Sequence, residues 1–293
     1  MDILQYIGFT ADEEKQYKQL EKELGEKTFP LADAYFDGTY QHISEIYEPL
    51  CQVTDTEPEL LGAMLLVVVR CAEKRAEILT GRAQALFLDG LCDIAFKVRE
   101  CVAYKKAFGI FVMNWYDRLI KNWRVQLGRL QFEVGVHNGP DISMGIFTLQ
   151  QGDPVLYCHI PSGLGPLTRE NCMESFHRAW EEFPEYRKDG YLPILCHSWL
   201  FYPKYEQVFG KDSGVGMFRS LWHMGSVGEH EAFNDCWRVF HMDMPQDLSR
   251  LPRNTRMQRA FADYIAAGGT FGDADGILLY DGEKIVKKTA SHD

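Results

Sequence analysis

The chain has 293 residues, about twice a typical domain of ~150, so two packed domains are expected. Lysine and arginine number 31 against 42 aspartates and glutamates, a net charge of −11 that argues against binding to a phosphate backbone or to anionic lipid. The acidic excess is spread over both halves, as an ordinary solvated surface would have it.

At the start, Met1-Asp2-Ile3-Leu4-Gln5 offers no basic region followed by an apolar one, so no leader is expected. Thr10-Ala11-Asp12-Glu13 reads as a capping box, with Tyr17, Leu20 and Leu24 following at helical spacing and Gly25 closing the helix. Thr56-Glu57-Pro58 is a second start signal. The run from Leu60 to Leu79 is apolar on most sides until Arg70, Glu73, Lys74 and Glu77 mark a wet face, which predicts a buried central helix. Its longest apolar stretch, Leu60 to Val69, is about half a membrane span, so no membrane is expected as a partner. Further helices are predicted over 83–101 and 105–121, the second with Phe108, Val112, Trp115, Tyr116 and Leu119 inward. Residues 1–122 thus read as an all-helical domain with no chemistry concentrated in it.

Beyond Trp123 the apolar period changes. Val125 to Val134 alternates, apart from Leu130, and predicts a strand on which Glu133 shares a face with Arg129 and Gln131. His137-Asn138-Gly139-Pro140-Asp141 is turn chemistry, and strands are predicted over 142–149 and 155–160. A helix over 168–183 follows, then a strand at 194–200, a short helix at 203–209, strands near 215–224 and 233–241, a helix at 254–267 and a last strand around Ile277 to Tyr280. Residues 123–293 therefore read as a mixed sheet flanked by helices, and the whole chain as α+β.

The segment Val155 to Glu170 is a strand, a loop containing Gly163 and Gly165, and a helix start. Glycines let a backbone approach a ligand, and amides at a helix N-terminus attract anions, so phosphate can be held here without much lysine. The plainer alternative is a connection whose glycines only satisfy a turn.

Leu127-Gly128-Arg129-Leu130-Gln131-Phe132-Glu133, His159-Ile160-Pro161 leading into Gly165-Pro166-Leu167, Cys196-His197-Ser198-Trp199-Leu200 and Leu251-Pro252-Arg253-Asn254-Thr255 together resemble a bacterial family of two-domain, acyltransferase-like proteins. These have a helical N-terminal domain and a C-terminal domain related to the GNAT N-acyltransferase superfamily. The resemblance implies an acyl-CoA donor, acetyl-CoA first, and a small-molecule amine as acceptor, with direct transfer and no metal. It implies that the Cys158, His159 and Ile160 backbone meets the acyl and pantetheine part. It also implies that Ser162, Gly163, Leu164, Gly165 and Thr168 line the pyrophosphate. The loop departs from the superfamily pattern Q/R-x-x-G-x-G/A, because the Gln or Arg is missing and Pro166 removes one amide.

By the same resemblance, Tyr205 is the candidate acid for the departing thiolate, with Tyr202 in reserve. Glu133 is a candidate base, or else the ion-pair partner of Arg129, and His197 a base near the acceptor that Ser198 helps orient. The dipeptides Cys158-His159 and Cys196-His197 do not suit a nucleophile and its base, since neighbours on a strand point to opposite faces. Across two neighbouring strands, however, His159 and His197 can share one face, to relay a proton or bind a metal, although a satisfied structural histidine is the plainer reading for at least one of them.

Arg250, Arg253, Arg256 and Arg259 form a row that meets either a ligand phosphate or surface acids. The eight cysteines never form C-x-x-C and several sit among apolar residues, which fits free thiols in a reducing, cytoplasmic setting. A homodimer is compatible with the sequence. The leading expectation is an N-acyltransferase; the alternative is a catalytically silent relative that binds a ligand or a partner.

Overall fold

The computed structural model describes residues 2–286 and divides into two compact units, one running to Gln126 and one starting at Leu127. The first is helical: α1 (Leu4–Ile7), α2 (Ala11–Phe36), α3 (Tyr47–Val53), α4 (Glu57–Ile78), α5 (Gly81–Gly90), α6 (Cys92–Lys105) and α7 (Tyr116–Ile120). The capping box opens α2, with Glu13 N donating to Thr10 Oγ1 at 3.2 Å and Thr10 N to Glu13 Oε2 at 2.7 Å. Gly25 does not end this helix, contrary to the sequence reading. A mid-helix glycine costs only ~1 kcal/mol, whereas Leu24, Thr28, Ala32 and Tyr35 continue the buried stripe to Phe36.

The central helix is α4, with every residue from Leu61 to Val69 buried. Two glycines permit its close neighbours. A Cβ on Gly62 would lie 2.9 Å from Leu20 Cδ2, and Gly109 brings the chain against the α4 backbone, where Ile110 N donates to Leu61 O at 3.0 Å. That approach is why 105–121 is not one helix. Lys106 turns to φ +58°, the chain runs irregularly past Gly109, and only Tyr116–Ile120 is α-helical. Asp117 closes this corner, accepting from Tyr35 Oη and Ile43 N, both at 2.8 Å.

The remaining elements are β1 (Arg124–Leu127), β2 (Leu130–Val136), β3 (Ile142–Ser143), β4 (Thr148–Leu149), β5 (Pro154–His159), α8 (Arg169–Glu182), β6 (Leu192–Ser198), α9 (Glu206–Phe209), α10 (Gly214–Arg219), β7 (His223–His230), α11 (Cys236–Phe240), α12 (Arg256–Ala266), β8 (Phe271–Tyr280) and β9 (Ile285–Val286). The main sheet runs β1-β2-β5-β6-β8-β7, with β9 on β8, while β3 and β4 form a small hairpin around Gly145 at φ +84°. The pairs β2–β5, β6–β8, β7–β8 and β8–β9 are antiparallel, and β5–β6 is parallel across the α8 crossover.

Four predicted strands are corrected: the one over 125–134 is broken at Gly128-Arg129 into β1 and β2, the one over 142–149 folds into the β3–β4 hairpin, and the other two are helical. Residues 214–219 form α10, capped by Ser213 Oγ, which accepts from Gly216 N at 2.9 Å, and Cys236–Phe240 is helical with Cys236, Val239 and Phe240 inward. Apolar residues three and four apart fit a helical turn better than alternation. The strand between them is β7, exposed at most positions and therefore without an apolar period. Trp199, Tyr202, Tyr205, Phe209, Phe233, Phe261 and Tyr264 build an aromatic core.

Candidate functional site: the fork between two parallel strands

The strands β5 and β6 pair at only two positions, Leu156↔Ile194 and Tyr157↔Leu195. Past these, β5 continues with β2 as far as His159↔Gln131, and β6 continues with β8 as far as Ser198↔Ala274. Each strand keeps its outer neighbour while the two part from one another. A fork results, with the inner edges of Cys158-His159 and Cys196-His197-Ser198 as its rims. Past the last shared rung the two strands no longer pair with each other, and the gap between them is a place where a ligand can meet backbone.

At the crotch of the fork stand Cys158 and Cys196, the first residues past the last shared rung. Both are buried, and Cys158 Sγ reaches His159 O at 4.0 Å. Burial, then the neighbouring Cys196 thiol, pushes the Cys158 pKa well above its ordinary value, so this sulfur stays protonated and lines the floor instead of attacking.

On the β5 rim, the loop from Ile160 to Thr168 leads into α8. Gly165 takes φ +76°, a conformation that suits glycine, and Thr168 is the N-cap of α8, its Oγ1 accepting from Asn171 N at 3.3 Å. The sequence expectation of an Arg129–Glu133 pair is corrected here. Arg129 sits in the β1–β2 turn and donates through Nε to Gly165 O at 3.0 Å and through Nη1 to Pro161 O at 2.9 Å. Glu133 pairs instead with His159, Oε2 to Nε2 at 3.3 Å, across the β2–β5 ladder.

On the β6 rim, His197 Nδ1 lies 2.8 Å from Asp275 Oδ1 and its Nε2 3.3 Å from Asp273 Oδ2. Partial burial disfavours the charged ring, but the hydrogen bond and charges of Asp275 and Asp273 outweigh it, and the His197 pKa is raised. Ser226 Oγ hydrogen-bonds Asp275, and His230 Nε2 reaches Asp273 at 2.7 Å. Each fork histidine has thus taken a carboxylate on its own outer strand, and the expected meeting of His159 with His197 is not what these bonds build. Ser198 is also engaged elsewhere, accepting from Leu200 N at 3.1 Å. Among the described residues, no group of three or more His, Cys, Asp or Glu is arranged to hold a metal ion.

Tyr205 is fully buried in the aromatic core, and that burial raises its pKa. Tyr202 Oη bonds Glu229 at 3.0 Å and Thr270 at 2.7 Å. Two of the four arginines in the row are engaged within the chain: Arg253 Nη2 meets Asp263 Oδ1 at 2.5 Å, and Arg259 Nη1 donates to the carbonyls of Arg253 and Asn254. Sequence reasoning missed Asp273, Asp275, Ser226 and His230. Only the first two left a signal: Asp273-Ala274-Asp275 alternates into the apolar run from Ile277, which extends the strand and puts both acids on one face.

Comparison with known proteins bears on this fold. A family model described as the GNAT-like C-terminal domain matches residues 125–278. The chain is similar to a crystal structure of an acyltransferase in complex with decanoyl-CoA and teicoplanin, at 22% identity and a TM-score of 0.57, covering 75% of this chain and 65% of that one. An acyltransferase in complex with CoA and 10C-teicoplanin is similar at 22% identity and a TM-score of 0.56, over 75% of this chain and 64% of that one. The chain thus spans about 65% of the length of the first of these. No curated protein matches it. Among the described residues, no helix is long and apolar enough to cross a membrane.

Proposed function

The chain belongs to the GNAT-like C-terminal domain family, and from that premise we propose that it is an acyl-CoA-dependent N-acyltransferase. It moves an acyl group, acetyl in the first instance, from CoA to the amine of a small molecule by direct transfer. The observation that supports this reading best is the parting of β5 from β6 after Tyr157 and Leu195. In the proposed complex the acyl and pantetheine portion lies along Cys158, His159 and Ile160. The pyrophosphate lies against the loop of Ser162, Gly163, Leu164, Gly165 and Thr168, and the amine enters on the β6 side.

The amine nitrogen attacks the thioester carbonyl, the C–S bond breaks from the tetrahedral adduct, and two proton movements complete the exchange. One proton leaves the nitrogen for His197, oriented through Nδ1 by Asp275. Glu133 is the second proposed base, acting through water from its place beside His159. Tyr205 is the proposed acid for the thiolate. We further propose that residues 1–122 and 123–293 act as two domains, and that the protein works in a reducing, cytoplasmic setting that keeps its cysteines free.

A thermal-shift panel of CoA, acetyl-CoA, octanoyl-CoA and decanoyl-CoA tests the donor. A ligand at a hundredfold over its Kd adds about 2.7 kcal/mol of stability, so the best donor raises Tm by several degrees. A flat response to all four overturns the reading. A second reading, a silent ligand-binding relative, draws on Pro166 and on the sealed position of Tyr205. It predicts a Tm shift with CoA but no release of free thiol when acyl-CoA is incubated with a panel of small amines.

A further inference from the structure

The loop that follows β5 lacks the polar residue its pattern calls for, yet a guanidinium occupies its interior. Arg129 comes from the β1–β2 turn, is only 9% exposed, and ties the carbonyls at both ends of the loop, Pro161 and Gly165. Among the described residues no carboxylate pairs with it, so a positive charge is held beneath the loop without a counter-charge. A buried cation in that state is costly, and an anion arriving over the loop would relieve it.

The same bonds set the direction of the loop's amides. In a trans peptide the C=O of one residue and the N–H of the next point opposite ways. Holding Pro161 O against Arg129 therefore turns the Ser162 N–H to the far side. Asn171 Nδ2 donates to Pro166 O at 3.1 Å and does the same for the Leu167 N–H. The peptide whose Gly165 carbonyl faces Arg129 is the one ending in Pro166, which has no hydrogen to present. The turn itself is pinned to α8: Arg129 N and Leu130 N donate to Ser175 Oγ at 2.9 and 3.3 Å, and that hydroxyl donates to Asn171 O at 2.8 Å. Turn, loop and the start of α8 form one hydrogen-bonded unit.

We propose that Arg129 is the positioning residue of the donor loop, holding its carbonyls inward and placing the positive charge that a pyrophosphate on the outer side needs. It would take the part of the Gln or Arg missing from the loop itself. The proposal rests on the acyl-CoA reading above, and the test separates the two.

Steady-state constants are measured for the full chain and for Arg129→Gln with an acyl-CoA and with the matching acyl-pantetheine, which has no pyrophosphate. Arg129→Gln is expected to raise KM for acyl-CoA about tenfold, the weight of one charge-assisted bond, with kcat little changed and acyl-pantetheine unaffected. It should also flatten the salt dependence of the acyl-CoA KM, while Arg129→Lys falls between the two. Equal losses with both donors, or no loss with either, overturn the proposal. If the unmodified protein turns over neither donor, thermal shift with inorganic pyrophosphate decides: stabilisation present in the unmodified chain, reduced in Arg129→Lys and absent in Arg129→Gln upholds the role of Arg129, and a flat response or an equal shift in all three removes it. Should Arg129→Gln fail to fold, Arg129→Lys carries the same comparison.

Discussion

Both rims of the fork carry a histidine beside a carboxylate, and they differ chiefly in water. On the β5 side, His159 and Glu133 are 27% and 15% exposed and stand 3.3 Å apart; on the β6 side, His197 and Asp275 are 63% and 53% exposed and 2.8 Å apart. The drier pair braces the β2–β5 ladder. The wetter pair can exchange protons with solvent, and a second carboxylate, Asp273, is within reach. The difference in exposure suits the wetter pair to the proton transfer proposed for His197 and leaves Glu133 as the second proposed base, and variants on the two rims should respond differently.

The largest effect is expected from His197→Gln, which should lower turnover by about 10²-fold or more, the range for losing a positioned base, while the acyl-CoA KM stays close to its starting value. An unchanged kcat would move the base to the other rim. Tyr205→Phe should lower turnover by about 10²-fold at unchanged donor affinity if the phenol serves the thiolate. An unaltered turnover number would leave the ring as part of the aromatic core alone.

Glu133→Gln should act mainly on stability, costing about 1–3 kcal/mol in denaturant unfolding because it weakens a partly buried pair, with a smaller loss of turnover than His197→Gln. The reverse order of losses would break the comparison between the rims.

The smallest effect concerns pH. His197 has a raised pKa in the folded protein, so its charged pairing stabilises the fold fully below the ordinary histidine value of 6.5 and is lost as pH rises through the folded value. As a base it must be neutral, so kcat should rise with pH through that same folded value. Asp275→Asn removes a cause of the shift and should move the inflection to lower pH. An inflection that stays in place would dissociate Asp275 from the titrating group.

What the sequence made legible follows apolar period. The capped helices at Thr10, Thr56, Thr168 and Thr255 begin where their side chains cap them, and the switch to alternation after Trp123 marks the start of β1 and β2. β7 was illegible because a strand exposed at most positions has no apolar repeat to read; its pairing with β8 makes it a strand. The break at Gly109 was illegible because it depends on the backbone of Leu61, far away in sequence. Of the site, the loop and His197 were visible as local signals. Arg129 was visible only as a neighbour on a strand, since its bonds to Pro161 and Gly165 span more than thirty residues.

The two-rung contact between β5 and β6 also has a bearing on how the sheet comes apart. It divides the sheet into two antiparallel leaves, β1-β2-β5 and β6-β8-β7, whose internal ladders are longer than the seam between them. Closing that seam requires the chain to fold α8 and return some forty residues later, so its loop-closure entropy is met late in folding. In native-state hydrogen exchange the seam amides should open with a lower free energy than the ladders on either side. A molecule bridging the two rims would act on the sheet as a staple, slowing exchange in both leaves at once.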